Sequence, residues 1–261
     1  WRLAAELVGR DALLADVSLT TWERAQNPRA ISMPALSVTR APPGERHRRV
    51  LASFRGADSH PCRAALARLH DGRDIVVERV ARRYTGRVDA TTGAVDDAYV
   101  RLLADSVFAF VPRGDAHFSY RLLEVMAFGC IPIVISDDWV LPFDRVVDWR
   151  TCALVVSEAR VPDLPTMLAG FTAGRVAALQ EAVAAVYAAR FADLDRIVAT
   201  LFDEVALALA QPATAAPDAE VSALVARFSD RPPRARVSPM ARVAKGVVRR
   251  LDRLADRLVD R

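Results

Sequence analysis

Between Val50 and Val156, short apolar runs of strand length alternate with stretches of helical period, and no other feature constrains the fold as tightly. Strands read at Val50–Phe54, Ile75–Val80, Val107–Val111, Ile131–Ile135 and Ala153–Val156, and helices at about 61–69, 96–104 and 119–128. A chain that passes through a helix before its next strand re-enters the sheet parallel, by a right-handed crossover. Such a sheet is covered by helices on both faces, which is why its strands read as continuous apolar runs. The pattern predicts an α/β fold with a doubly wound parallel sheet.

The flanks read differently. Leu3, Leu7, Leu14 and Val17 share a helical period, and the chain then passes Asn27-Pro28 and Met33-Pro34, so residues 1–35 are expected to be a remnant of a preceding lobe and a linker. The α/β domain is expected over 36–210, closing with two helices, 174–188 and 190–210, that have no strand after them and belong outside the sheet. Prolines at 212, 217, 232 and 233 mark 211–233 as a linker, with at most one short helix, 219–228. Residues 234–261 are expected to form a basic amphipathic helix, with Val243, Val247, Leu251, Leu254 and Leu258 on one face. That helix suits an anionic membrane surface, a short coiled coil or a clamp on another lobe. Asp252, Asp256 and Asp260 among its arginines favour protein contact. The first residue is Trp, not Met, with no basic-then-apolar leader, so the sequence reads as a processed product or an excerpt of a longer protein.

Composition removes several classes of function. The net charge of +4 is carried wholly by residues 240–261, with seven basic and three acidic side chains, so the body is neutral and a nucleic-acid-binding face is not expected. No apolar run reaches the roughly 18 residues of a membrane-spanning helix. Cys62, Cys130 and Cys152 form no CxxC and no Cys/His ligand spacing, so reduced thiols and no structural zinc are expected. The same lack of a disulfide pattern points to a cytoplasmic, bacterial setting.

The chemistry concentrates in residues 106–143. A buried strand stops at Pro112, the loop Arg113-Gly114-Asp115 follows, and Ser119 occupies the expected N-cap of a helix whose apolar face is Leu122, Leu123, Met126 and Ala127. Gly129 closes that helix. A strand-to-helix turn at the carboxyl end of a parallel sheet is where open α/β folds bind ligands, and unpaired first-turn N–H groups suit a phosphate. Arg121 adds a guanidinium able to grip it with two hydrogen bonds, and Glu124 lies one turn on, within reach of ribose hydroxyls. The chain lacks G-x-G-x-x-G throughout, which speaks against hydride transfer.

The string Ser119 to Asp137, followed by Leu141-Pro142-Phe143 and Val147-Asp148-Trp149, resembles the signature of the exostosin family, glycosyltransferase family 47. Val50 to Gly56 is similar to the family's strand ending in Phe-Arg-Gly, and Ser106 to Gly114 to its Ser-x-Phe-x-Leu-x-Pro-x-Gly segment, so the resemblance spans roughly residues 30–170. It implies the Rossmann-like C-terminal, donor-binding lobe of a GT-B glycosyltransferase. Such an enzyme moves a sugar from a nucleotide diphosphate, usually a UDP-sugar, to a polysaccharide or glycoconjugate acceptor, with inversion and without a bound metal or other cofactor. Arg55, Arg121, Ser119 and Tyr120 would then hold the donor diphosphate and Glu124 the ribose. Ser136, Asp137 and Asp138 would contact sugar hydroxyls. For a eukaryotic member the implied setting is the Golgi lumen.

The resemblance also shows what is missing. The acceptor-binding lobe, which usually supplies the general base, exceeds residues 1–35, so the base is expected on a missing lobe or partner subunit and no catalytic residue is assigned in this chain. Ala116 stands where many retaining GT-B enzymes carry the first carboxylate of a Glu-x7-Glu pair ending at Glu124, which favours inversion. The rival to an enzyme is a non-catalytic nucleotide-binding or scaffold subunit. Simpler roles compete residue by residue: Arg55 as an ion-pair partner, Glu124 as a solvated helix residue, His117 as an exposed loop histidine, Cys130 as core. His47, His60 and His70 read as surface residues, and Asp193-Leu194-Asp195 as a helix segment rather than a metal motif. Trp139 and Trp149 fit either stacking on a sugar or packing under the Leu-Pro-Phe turn.

Overall fold

The computed structural model describes residues 13–36, 47–80 and 96–211, and the backbone of a short antiparallel pair, 84–85 with 88–89. The expected linker and basic helix, 212–261, lie outside the described residues. Five parallel strands form the sheet: β3 (Val50–Gly56), β4 (Ile75–Arg79), β7 (Ser106–Pro112), β8 (Ile131–Ile135) and β9 (Leu154–Val156), in the order β4-β3-β7-β8-β9. Here β1 (Ala15–Asp16) and β2 (Ile31–Ser32) are a separate N-terminal pair, and β5 (Tyr84–Thr85) and β6 (Val88–Asp89) the antiparallel pair.

The chain moves outward from β3 through α2 (Pro61–Ala67) to β4. It returns past β3 through α3 (Asp97–Ala104) to β7, then steps through α4 (Arg121–Ala127) to β8. Right-handed crossovers running in opposite directions put α2 on one face and α3 and α4 on the other, the doubly wound arrangement expected from the sequence. The direction reverses between β3 and β7, which opens a crevice outside their carboxyl ends. Phe54, Phe108, Phe110, Phe128, Ile131 and Ile133 are fully buried in the sheet core. Gly129, at φ +63°, ends α4 in a Schellman motif, with Cys130 N–H bonded to Val125 O at 3.0 Å and Gly129 N–H to Met126 O at 2.8 Å.

The N-terminal segment departs from expectation. The described part, residues 13–36, is not a helical tail: β1 pairs in parallel with β2, and α1 (Thr21–Gln26) between them starts at a capping box formed by Thr20 and Glu23. Residues 138–143 stitch it to the domain. Thr21 N–H donates to Asp138 O at 2.9 Å, Val140 N–H to Leu19 O at 2.9 Å and Phe143 N–H to Ser32 O at 2.9 Å, while the Ser32 hydroxyl donates to Val140 O at 2.6 Å. Non-local pairing here overrides the helical spacing at Leu14 and Val17. Residues 1–12 of that stretch lie outside the described residues.

At the other end, after α5 (Leu164–Ala169), α6 (Ala173–Arg190) packs on α4, and α7 (Leu194–Leu209) packs on α6, outside the sheet as expected. Asp193 caps α7 by accepting the Arg196 N–H at 2.9 Å, so the Asp-x-Asp pair is a helix start. The tryptophan alternatives resolve to packing. Trp139 donates its indole N–H to Val17 O at 3.1 Å and Trp149 to Pro142 O at 2.9 Å, and both rings are buried.

Candidate functional site

Arg121 is the first residue of α4, at the mouth of the crevice. Its Nη2 donates to Arg55 O at 2.6 Å, and the guanidinium lies 4.5 Å from the Phe54 ring centroid and 5.5 Å from that of Tyr99. The Nε–H is buried and has no partner among the described residues. A buried, unpartnered donor on a permanent cation costs about 1–3 kcal/mol until an acceptor arrives. An anionic oxygen is the acceptor that fits. Arg113 Nε and His117 Nδ1, in the loop leading to α4, are buried and unpartnered as well.

The start of α4 differs from the sequence reading. The helix begins at Arg121, with Tyr120 at the cap position in helical backbone geometry and no side-chain cap bond. Ser119 accepts the Leu122 N–H through its carbonyl at 3.3 Å, a tightened first turn, and its side chain is buried at 7% exposure. The hydroxyl therefore does not cap. The N–H groups of Ser119 and Tyr120 have no acceptor among the described residues.

Arg55, at the end of β3, faces two carboxylates. Its Nε donates to Asp96 at 2.9 Å and its Nη1 to Glu78 at 2.7 Å. Burial opposes its charge, but these two partners outweigh that and raise its pKa above the ordinary arginine value. The ion-pair role weighed for an isolated Arg55 is thus the one the geometry displays. Glu124 is 3% exposed and accepts a hydrogen bond from the Tyr99 hydroxyl, so it lies beneath the crevice and not on the solvated helix face. Among the candidate sugar contacts, Ser136 donates to His117 O at 3.2 Å, Asp137 accepts the Glu158 N–H at 2.8 Å, and Asp138 accepts the Thr21 hydroxyl at 3.4 Å. All three stand at the carboxyl end of β8, and each already braces a neighbouring segment.

Arg63 was missed from the sequence. From the first turn of α2 it donates to Arg113 O at 2.8 Å, Ala57 O at 3.1 Å and Pro112 O at 3.3 Å, clamping the carbonyls where β3 and β7 end. Burial, and then the nearby charge of Arg121, pull its pKa down to about 10. The available signal is an arginine at a helix start, which the helix dipole disfavours unless an anion is near. His60, expected at the surface, caps α2 by accepting the Cys62 N–H at 3.4 Å. Burial and the Glu158 charge push the Cys62 thiol up to about 11, so it is no nucleophile near neutrality.

Gly56 sets the seat of Arg121. A Cβ there would lie 2.8 Å from Phe54 Cζ and 2.9 Å from Arg121 Nη2, so Gly56→Ala must displace the guanidinium. The expected result is a stability loss of about 1 kcal/mol in urea unfolding.

A parallel doubly wound sheet with cationic side chains gathered at its switch-point crevice defines a domain of the doubly wound α/β class. Residues 4–171 match the Exostosin GT47 domain, and the chain belongs to that glycosyltransferase family. An exostosin-1 homolog of Caenorhabditis elegans is 35% identical over 156 residues, covering 55% of this chain and 41% of its own length. Exostosin-1 of Drosophila melanogaster is 33% identical over 149 residues, covering 54% of this chain and 20% of its own. The chain thus spans less than half the length of these relatives. The solved structure of TarM aligns with a TM-score of 0.42 at 10% identity, covering 74% of this chain and 43% of that one. These relatives are animal proteins and give the cytoplasmic, bacterial expectation no support.

Proposed function

We propose that this chain is the donor-binding lobe of an inverting GT-B glycosyltransferase that takes a sugar from a nucleotide diphosphate, a UDP-sugar, to a polysaccharide or glycoconjugate hydroxyl. The observation that carries the reading is the buried, unpartnered Nε–H of Arg121 at the switch-point crevice, within the segment that matches the family. The leaving group is a diphosphate, and fixed positive charge stabilises its developing charge without requiring a metal. On this reading Arg121 and the N–H groups of Ser119 and Tyr120 hold the diphosphate. Glu124 holds the ribose once the donor draws it from Tyr99, and Ser136, Asp137 and Asp138 border the sugar. The base that deprotonates the acceptor belongs to another lobe or a partner subunit, and the eukaryotic setting is the Golgi lumen.

One observation favours the non-catalytic reading. Arg55, the second expected diphosphate cation, is paired with Glu78 and Asp96. Calorimetric titration of the folded chain with UDP, with AMP as control, separates donor binding from a bare scaffold. Saturable, UDP-selective binding is expected. No binding, or equal binding of AMP, would overturn the donor-site reading.

A further inference from the structure

Against the expectation of no structural zinc drawn from the cysteine spacing, we infer that His60, Cys62 and Glu158 form a site for a divalent transition-metal ion of the zinc type. His60 Nδ1 stands 3.2 Å from Cys62 Sγ and 3.6 Å from Glu158 Oε2, and the three ligand atoms all lie within 4.8 Å of one another. Zinc bonds to sulfur, imidazole nitrogen and carboxylate oxygen imply tetrahedral edges of about 3.3–3.6 Å between ligand atoms. The two measured edges bracket that range. The donor set, one nitrogen, one sulfur and one oxygen, matches a borderline-soft ion and does not suit calcium or magnesium, which take oxygen ligands.

The surroundings are arranged for a monodentate carboxylate. Glu158 turns Oε1 toward Arg113 Nη1 at 3.7 Å and leaves Oε2 toward His60, so Arg113 braces the ligand from outside as second-sphere partners do. The Glu158 N–H is itself fixed by Asp137 at 2.8 Å. The bond that an ion displaces is the long one, 3.4 Å, from the Cys62 N–H to His60 Nδ1. Binding replaces the Cys62 thiol proton, which is released to solvent, by a metal–sulfur bond. A water completes the fourth position.

The ligands come from distant strands. His60 and Cys62 begin α2 after β3, and Glu158 opens the turn after β9, while β7 and β8 lie between those strands in the sheet. An ion held there ties together the two ends of the crevice rim on the α2 face.

The test is titration of the purified 261-residue chain with Zn²⁺, and with Co²⁺ as the spectroscopic probe. One equivalent per chain is expected, with a thiolate-to-cobalt charge-transfer band and a rise in Tm on adding zinc. His60→Asn keeps a residue able to cap α2, so it is expected to stay folded while weakening zinc at least tenfold. Glu158→Gln is expected to do the same, Cys62→Ser to abolish the charge-transfer band, and His47→Ala to change nothing. Absence of saturable binding, or zinc held equally by the native, H60N and E158Q chains, would overturn the site, the latter marking adventitious surface binding.

Discussion

Arg121→Ala is expected to weaken UDP at least tenfold, about 1.4 kcal/mol, with the chain still folded. The side chain does two separable things. Its Nη2 holds Arg55 O and its plane packs on Phe54, which steadies the end of β3, while its Nε–H is the buried donor that awaits an anion. Arg121→Lys keeps the charge and loses the planar fork, so it is expected to recover part of the affinity and little of the packing. Measuring UDP affinity against urea midpoint across the two variants separates the roles. If both variants fold and bind UDP like the native chain, the diphosphate does not sit at the start of α4.

Arg145→Ala is expected to be the most destabilising single change, about 3–5 kcal/mol, because it strands a buried carboxylate. Glu204, in α7, is 0% exposed. It accepts Arg145 Nη1 at 2.6 Å and the Arg145 N–H at 3.2 Å. The other guanidinium nitrogen donates to Ala30 O at 3.1 Å and to Pro28 O, so one side chain joins the N-terminal segment, the loop after β8 and α7. Burial pushes the Glu204 carboxyl above its ordinary value of 4.5, against the pull of Arg145. A carboxyl raised in the folded state contributes stability below its unfolded pKa and loses it as pH rises through the folded one. The deficit of Arg145→Ala relative to the native chain is therefore expected to shrink as pH falls through the range, above the ordinary carboxylate value, where the raised Glu204 carboxyl takes up its proton. Urea unfolding at several pH values checks this. A double replacement by apolar residues, Arg145→Met with Glu204→Leu, is expected to recover much of the loss.

What the sequence determined by itself was the sheet and the place of its crevice. The strand at Ile131–Ile135 and the helices near 97–104 and 173–190 appear within a residue or two of their sequence boundaries, because each has its own hydrophobic period and stop signal, such as Gly129 after α4. Order and handedness follow from the alternation of elements. The tertiary structure alone decided the partners. Arg55 meets Asp96 and Glu78, Glu124 meets Tyr99, and residues 13–36 pair with 138–143 across long stretches of chain. Ser119 reads as a cap because a hydroxyl before an apolar period is a local signal, whereas its burial at the carboxyl edge depends on how the loop after β7 packs. The His60–Cys62–Glu158 cluster has the same origin: two of its ligands are neighbours in sequence, and the third arrives only when β9 takes its place in the sheet. Periodicity is written along the chain, but charge pairing is a property of distance in space, and only the folded sheet sets those distances.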